Sequence, residues 1–240
     1  IPVVQDQRAG GLMHNKFIVI DRQWVWTGSW NLTRNCTYRN NNNAVLIASA
    51  ALAENYAAEF EEMFAGQFGP TSPAQTPNPR VTITFQTDDG QTHEVMVENY
   101  FAPEDGVAAH VVAEIERAQS RIRFMAFSFT SDAIASAMIK RAQAGIAVQG
   151  VIESRNADSE YAEYTRLRDA GIDVRLDGNP YIMHHKVIIV DDATVILGSY
   201  NFTSNAENSN DENLLIIRDP EVAARFVVEF GRVYEQAQTR

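Results

Sequence analysis

The sequence lacks the features that several common classes of protein require. Its single cysteine, Cys36, excludes a disulfide bond within these 240 residues and cannot form a cysteine-based zinc site alone. The longest apolar runs, such as residues 187–190, are far too short to span a membrane as a helix. Positive charge is also scarce, because 20 lysines and arginines stand against 31 aspartates and glutamates. The formal net charge of −11 argues against a broad basic surface for nucleic acid but allows a narrow positive cleft.

What the sequence does contain is an internal repeat with a constant spacing of 170 residues. The segment 13–16, Met-His-Asn-Lys, returns at 183–186 as Met-His-His-Lys, and both copies continue with four apolar residues and an aspartate. The segment 28–31, Gly-Ser-Trp-Asn, returns at 198–201 as Gly-Ser-Tyr-Asn, again without a gap. A match of this length in constant register indicates a duplicated structural unit.

A stretch rich in proline and glycine separates the two copies. Four prolines and two glycines in residues 66–79 predict a linker. Residues 1–65 would then be the C-terminal part of a first unit, and residues 80–240 a complete second unit. The counterpart of residues 80–171 is missing from the front of the first unit. We expect that this part was removed or disordered, or that a separate N-terminal fragment or second chain supplies it.

Strands and helices alternate along the second unit. Apolar patterning and turn signals predict an α/β fold of two pseudo-symmetric units, each a mixed β-sheet flanked by helices, with the first unit incomplete at its N-terminal side. The predicted strands cover residues 81–85, 94–97, 121–129, 146–152, 172–176, 187–190 and 194–197, and the predicted helices cover residues 105–118, 132–144, 159–170 and 221–236.

The repeated spacing places chemically useful side chains together. Residues two apart on an extended strand face the same side, so His14 should project with Lys16, and His184 with Lys186. Two such copies facing each other would gather two imidazoles and two ammonium groups around one point. That arrangement predicts a pocket for a phosphodiester anion and for the added charge of its transition state.

The pattern of His-x-Lys, four residues, Asp, six residues and Gly-Ser-x-Asn, present twice, resembles the HKD signature of the phospholipase D superfamily. In style the chain is most similar to the compact bacterial phospholipase D-like nucleases. The resemblance implies a phosphodiester hydrolase that needs no metal or other cofactor. It also implies two steps, in which one histidine attacks phosphorus to form a phosphohistidine and the other protonates the leaving oxygen.

The resemblance divides the expected site residues into three groups. The lysines and asparagines would hold the nonbridging oxygens, the Gly-Ser pairs would let the backbone approach substrate, and the two aspartates would hold turns. The catalytic group comprises His14, Lys16, Asn31, His184, Lys186, Asn201 and Glu212, the substrate-binding group Gly28, Ser29, Gly198 and Ser199, and the structural group Asp21 and Asp191.

One carboxylate breaks the symmetry of the two copies. Glu212 stands where compact relatives place the residue that orients the catalytic imidazole, and its counterpart is Asn42. Because only the second copy carries this carboxylate, we expect His184 to be the more basic histidine. The resemblance instead gives the nucleophilic role to the first copy, His14. The order of the two histidines stays open at this stage.

Two substrates suit the predicted chemistry. A nuclease is favoured by the short units and by Arg34, Tyr38, Arg39 and Arg155, which would line a cleft for a nucleic-acid backbone. The alternative is a phospholipase D or phosphatidyltransferase, which the acidic composition would suit if the lipid were zwitterionic. Exposed aromatics would then meet the lipid, namely Trp30, Tyr181 and Tyr200. A relative that binds without catalysis is a third interpretation, weakened by the two complete motifs.

Overall fold

The boundaries of the longer helices are set by side-chain caps. Ser49, Ser131 and Asp219 each accept a hydrogen bond from the backbone N–H three residues further on, which satisfies a donor that a helix start would otherwise leave free. The computed structural model describes residues 1–73, 76–86 and 90–237, so residues 74 and 75 of the predicted linker lie outside the described residues. The elements in chain order are β1 Phe17–Ile20, β2 Trp24–Gly28, α1 Arg34–Tyr38, β3 Ala44–Ala48, α2 Ala50–Phe64, β4 Arg80–Gln86, β5 Thr92–Ala102, α3 Val107–Arg117, β6 Arg121–Ala126, α4 Asp132–Gln143, β7 Ala147–Ile152, α5 Tyr164–Asp169, β8 Asp173–Leu176, β9 Lys186–Val190, β10 Thr194–Gly198, α6 Ser204–Asn208, β11 Glu212–Arg218 and α7 Pro220–Gln236.

These strands form two sheets. The first has three antiparallel strands in the order β1-β2-β3, and the second has eight in the order β4-β5-β11-β10-β9-β6-β7-β8. In the larger sheet β6, β7 and β8 run parallel while the other pairs are antiparallel, so the sheet is mixed as expected. Val25 of β2 and Tyr56 of α2 share one buried cluster with Leu197 of β10 and Phe226 of α7. The two copies are therefore joined by a common core.

The two repeated hairpins turn in the same way. Asp21, Arg22, Asp191 and Asp192 all have φ between 52° and 54°, the left-handed conformation that tight hairpin turns use. The Asp191 carboxylate also accepts backbone hydrogen bonds from residues 119, 120 and 121, at 2.7, 2.7 and 3.0 Å. Asp191 thus ties its hairpin to the start of β6. The Asp21 carboxylate has no such partner among the residues that the structure describes.

Parts of the predicted secondary structure are wrong. The predicted helix over residues 159–170 begins only at Tyr164, because the preceding chain is held to the loop after β6 by a 3.0 Å bond from the Glu163 N–H to the Phe129 carbonyl. β6 ends at residue 126 instead of 129 for the same reason, since that loop turns back toward α5. β3 and β11 were not predicted, although β11 is buried between β5 and β10.

One face of the small sheet is left open to solvent. Ile20 and Leu46 on this face are 42% and 56% exposed, whereas their counterparts Val190 and Ile216 are 3% and 1% exposed. The corresponding face of the larger sheet is buried in a cluster with apolar side chains of α3 and α4. The first copy has no counterpart of these helices within the described residues, so its outer face is an uncovered apolar surface.

Candidate active site

Each His-x-Lys segment is hydrogen-bonded to the other copy. The His14 N–H donates to the Asp211 carbonyl at 3.0 Å, and the His184 N–H donates to the Asn41 carbonyl at 2.7 Å. Asp211 and Asn41 are themselves separated by 170 residues, so the exchange is pseudo-symmetric. Both lysines lower the pKa of both histidines through their charge, which places all four groups at one site. The predicted convergence of two imidazoles and two ammonium groups is therefore what the fold produces.

His14 is oriented by a carboxylate from the second copy. Its Nδ1 lies 2.7 Å from Oε2 of Glu212, which is fully buried. The same carboxylate accepts hydrogen bonds from Ser199 Oγ at 2.7 Å and from Asn210 Nδ2 at 3.0 Å. With Nδ1–H donated to Glu212, the Nε2 lone pair of His14 is left for chemistry.

His184 has a neutral partner instead. Its Nδ1 donates to the Ser29 carbonyl at 3.0 Å, and its Nε2 lies 3.3 Å from Nζ of Lys186. Burial, followed by the charges of Lys186 and Lys16, lowers the pKa of His184 to about 2. The expectation that His184 is the more basic histidine is therefore wrong, because Glu212 crosses to the other copy.

Burial also lowers the pKa of His14, but Glu212 opposes this effect by hydrogen bond and by charge. Asn42, the counterpart of Glu212, is turned away and donates to the carbonyls of Cys36 and Asn40 at 2.7 and 3.0 Å. The two imidazoles are therefore unequal, and His14 is the one that can best carry positive charge.

The two lysines carry charge with little compensation. Lys16 Nζ donates to the His14 carbonyl at 2.6 Å, and Lys186 Nζ donates to the His184 carbonyl at 3.0 Å. Burial lowers the pKa of Lys16 to about 8, and burial and then Lys16 hold the pKa of Lys186 well below its usual range. In the described part of the chain neither ammonium group forms a salt bridge. A bound anion would compensate the positive charges of the two lysines, so the pocket is suited to a phosphodiester.

The two motif asparagines have different environments. The Oδ1 atom of Asn201 is buried and has no hydrogen-bond partner among the described residues. Asn31 lies against Cys36 instead. Burial raises the pKa of the Cys36 thiol, but hydrogen bonds from Asn31 and its neighbours outweigh burial and leave that pKa lowered. Of the two motif asparagines, Asn201 is thus the one with a buried amide oxygen that has no partner among the described residues.

The Gly-Ser pairs lie behind the pocket. Ser29 and Ser199 are fully buried, and their hydroxyls accept the backbone N–H groups of Asn43 and Asn213 at 3.1 and 3.0 Å. A Cβ on Gly28 or Gly198 would stand 2.4 or 2.2 Å from the carbonyl oxygens of those two asparagines. These four residues therefore support the site from behind, and the expectation that they bind substrate stays a prediction.

A second pseudo-symmetric layer supports the histidine strands. Asn15, between His14 and Lys16, donates to Glu59 of α2 at 2.8 Å and accepts from Asn213 at 2.9 Å. Its counterpart His185 is hydrogen-bonded to Glu229 of α7 at 3.0 Å and to Asn43 at 2.9 Å. Each copy thus reaches across to brace the other. The offset of 170 already paired these positions, but it did not reveal the contacts between them.

Phe127 also belongs to the pocket and was not predicted from the sequence. Its ring centre lies 4.7 Å from that of His184 and 4.8 Å from Nζ of Lys186, a cation–π distance. Phe127 follows β6, and the first copy has no counterpart of that strand within the described residues. The repeat therefore carried no signal for this residue.

Two kinds of feature are absent from the described residues. The described residues contain no group of three histidine, cysteine, aspartate or glutamate side chains arranged to hold a metal ion. Among those same residues, no helix has the length and apolar character needed to cross a membrane.

Comparisons with known proteins agree with this geometry. A family model described as "Cardiolipin synthase, PLD-like domain" matches residues 1–64 and 111–234, which is more than half of the chain. The phospholipase D of Rickettsia prowazekii is 34% identical over 131 residues, which cover 55% of this chain and 64% of that protein. The alignment thus spans less than two thirds of the length of this relative.

Similar solved structures include a bacterial phospholipase D family member and a phosphatidylserine synthase. The phospholipase D family member Nuc from Salmonella typhimurium is 34% identical, with a TM-score of 0.57, over 60% of this chain and 97% of that one. The phosphatidylserine synthase of Haemophilus influenzae has a TM-score of 0.64 over 94% of this chain and 62% of that one; at 14% identity it supports the fold alone. The chain belongs to the phospholipase D superfamily.

Proposed function

We propose that this protein is a metal-independent phosphodiesterase that acts on nucleic acid through a phosphohistidine. The observation that carries the proposal is the meeting of two unequal imidazoles with two lysine side chains, of which Lys186 is buried and Lys16 half-buried. The lysines supply the positive charge that a metal would otherwise bring to the nonbridging oxygens. The family membership supports the same reaction class.

His14 is the nucleophile in this mechanism. Its Nε2 attacks phosphorus, so a P–N bond forms while the bond to the leaving oxygen breaks. The Glu212 carboxylate, 2.7 Å from Nδ1, stabilises the positive charge that the ring gains. This choice agrees with the resemblance and replaces the order suggested by the position of Glu212 in the sequence.

His184 is the acid and then the base. The charges of Lys16 and Lys186 help to keep its pKa low, and a bound phosphodiester anion offsets those charges. Substrate binding therefore favours proton uptake on His184, which passes the proton to the leaving oxygen. In the second step His184 takes a proton from water, the water oxygen attacks phosphorus, and the P–N bond breaks.

The test uses single-stranded DNA and bis(p-nitrophenyl) phosphate in excess EDTA. Both should be cleaved by the wild type. With a 32P-labelled diester, His184→Ala should accumulate acid-labile phosphoenzyme because release is impaired, whereas His14→Ala should form none. Loss of activity in EDTA would refute metal independence. Phosphoenzyme in His14→Ala but not in His184→Ala would reverse the two roles.

A phospholipid substrate is the second candidate, favoured by the 34% identity to a protein named phospholipase D. Choline release from phosphatidylcholine vesicles, lost in His14→Ala, with no cleavage of DNA, would favour it over the nuclease.

The uncovered face of the small sheet also supports a protein partner. A further polypeptide segment, separate or from a second chain, would cover Ile20 and Leu46 as α3 and α4 cover their counterparts. Sedimentation of the native protein tests this: an added mass that Leu46→Asp releases would support it, and a bare monomer with full activity would oppose it.

A further inference from the structure

The two sides of the cleft differ in composition at pseudo-symmetric positions. α1 and the residue after it carry Arg34, Tyr38 and Arg39. Their counterparts in and after α6, at a spacing of 170, are Ser204, Asn208 and Ser209. One side therefore has two guanidinium groups and an aromatic ring where the other has small polar side chains.

Further residues join α1 to form what we call the basic rim, made of Tyr38, Arg39, Arg155 and Tyr181. The Arg39 guanidinium lies 4.9 Å from the centre of the Tyr181 ring, a cation–π contact. Asn179 Nδ2 donates to the Arg39 carbonyl at 3.1 Å, which fixes α1 to the loop that carries Tyr181. Arg155 reaches the Pro180 carbonyl of the same loop at 3.5 Å.

The basic rim is joined to the backbone of His184. Asn41 follows Arg39 by two residues, and its carbonyl accepts the His184 N–H at 2.7 Å. The Asn41 N–H in turn donates to the carbonyl of Ile182, next to Tyr181, at 2.9 Å. The rim is thus part of the same backbone exchange that holds His184 in the site.

The charge of Arg39 is available to a ligand, whereas that of Arg155 is shared with a carboxylate. Arg39, like Arg34 beside the rim, forms no salt bridge with any residue that the structure describes. Arg155 lies 3.7 Å from Glu153, whose carboxylate is buried. Across the cleft, Arg8 is paired with both Asp6 and Asp211, so its charge is already neutralised.

We infer that the basic rim is a subsite for single-stranded nucleic acid, which binds the nucleotides on the leaving-group side of the scissile phosphate. Tyr38 and Tyr181 are 79% and 41% exposed and offer ring faces for unpaired bases. Arg39 and Arg155 would hold the neighbouring phosphates. The inference rests on the proposed function, in which His184 protonates the leaving oxygen. A duplex would hide the base faces, and phosphatidylcholine has no second phosphate for this rim.

Anisotropy of a labelled (dT)12 oligonucleotide tests the subsite, with His14→Ala as the background so that the DNA is not consumed. Adding Arg39→Gln or Tyr181→Ala should weaken binding at least about fivefold each, since stacked bases and phosphate contacts are lost. Asn208→Ala and Ser209→Ala, the matched changes across the cleft, should stay within twofold. Arg39→Gln keeps the carbonyl that Asn179 binds, so the fold of α1 is preserved.

Hydrolysis of bis(p-nitrophenyl) phosphate separates this inference from the proposed function. The rim variants with His14 intact should hydrolyse it within twofold of wild type, because so small a diester does not reach the rim. A wild type that fails to hydrolyse it would sink the proposed phosphodiesterase, while the binding measurements still decide the subsite. Unchanged oligonucleotide binding in both rim variants, equal losses in the matched controls, or reduced binding only of phosphatidylcholine vesicles would overturn the subsite.

Discussion

Replacing Phe226 by tyrosine should stabilise the protein, because it supplies a hydrogen bond that one copy has and the other lacks. Where this hydrogen bond is present, Asn213 Oδ1 accepts from Thr27 Oγ1 at 2.8 Å and from the Tyr56 hydroxyl at 3.2 Å. The counterparts of Thr27 and Tyr56 are Leu197 and Phe226. Asn43 Oδ1, which corresponds to Asn213 Oδ1, is accordingly buried without a partner among the described residues.

The orientation of the Asn43 amide follows from its neighbours. Glu229 accepts the Nε2–H of His185, so Nδ1 of that ring must be an acceptor. Asn43 therefore turns its NH2 group toward His185, at 2.9 Å, and its oxygen away. By pseudo-symmetry with Tyr56, a hydroxyl on Phe226 would meet that oxygen.

The gain should be about 1 kcal/mol in the free energy of unfolding, within a range of about 0.5–1.5 kcal/mol for a net hydrogen bond. For a chain of this size, that raises the melting temperature by about 2–4 °C. Urea unfolding and thermal melts measure both quantities, with Tyr56→Phe as the reciprocal variant that should lose stability. A less stable Phe226→Tyr protein would show that the hydroxyl finds no acceptor, and the pseudo-symmetric argument would fail.

Three other predictions concern carboxylates. Glu212→Gln removes the charge that supports His14, so kcat on bis(p-nitrophenyl) phosphate should fall about 10²-fold or more; a change under threefold would contradict this role. Burial, then neighbouring carboxylates, raise the pKa of Glu59 to about 9, so its stabilising effect is complete below pH 4.5 and is lost as pH rises through 9. The free energy of unfolding of Glu59→Gln, measured with urea, should therefore equal that of wild type near pH 5 and exceed it by at least about 1 kcal/mol at pH 9. Equal pH dependence of this free energy in both proteins would refute the prediction. Asp191→Ala should lower the free energy of unfolding by about 1.5–3 kcal/mol more than Asp21→Ala does. Both variants lose the same turn preference, but the Asp191 carboxylate also accepts hydrogen bonds from the start of β6. Equal melting temperatures of the two variants would argue against this role.

Local signals in the sequence were enough for some elements and not for others. β9, β10 and α7 were predicted within a residue or so, because apolar periodicity and capping act over short distances. β11 was missed although residues 214–217 are all apolar, because it begins with the polar site residues 212 and 213. Its place between β5 and β10 depends on pairing with a strand more than 100 residues away.

The candidate site shows the same division. The repeat predicted that His14, Lys16, His184 and Lys186 converge, and pseudo-symmetry alone was sufficient for that. It did not predict which histidine Glu212 would contact, because a repeat gives equivalence between positions and not their distances. The bond from Glu212 to His14 arises from the exchange of backbone hydrogen bonds between copies, which is a property of the packed pair.

The mutual bracing of the two copies has an evolutionary consequence. In a dimer of identical chains every substitution appears on both sides of the site, so a change that helps one histidine is imposed on the other. Here the two sides are separate positions in one chain and can diverge independently, as Asn42 and Glu212 have done, and also Asn15 and His185. Since each copy holds the other's histidine, neither can be lost while the site is retained. Joining the two copies in one chain therefore allows the two histidines to take different roles, and at the same time makes each copy depend on the other.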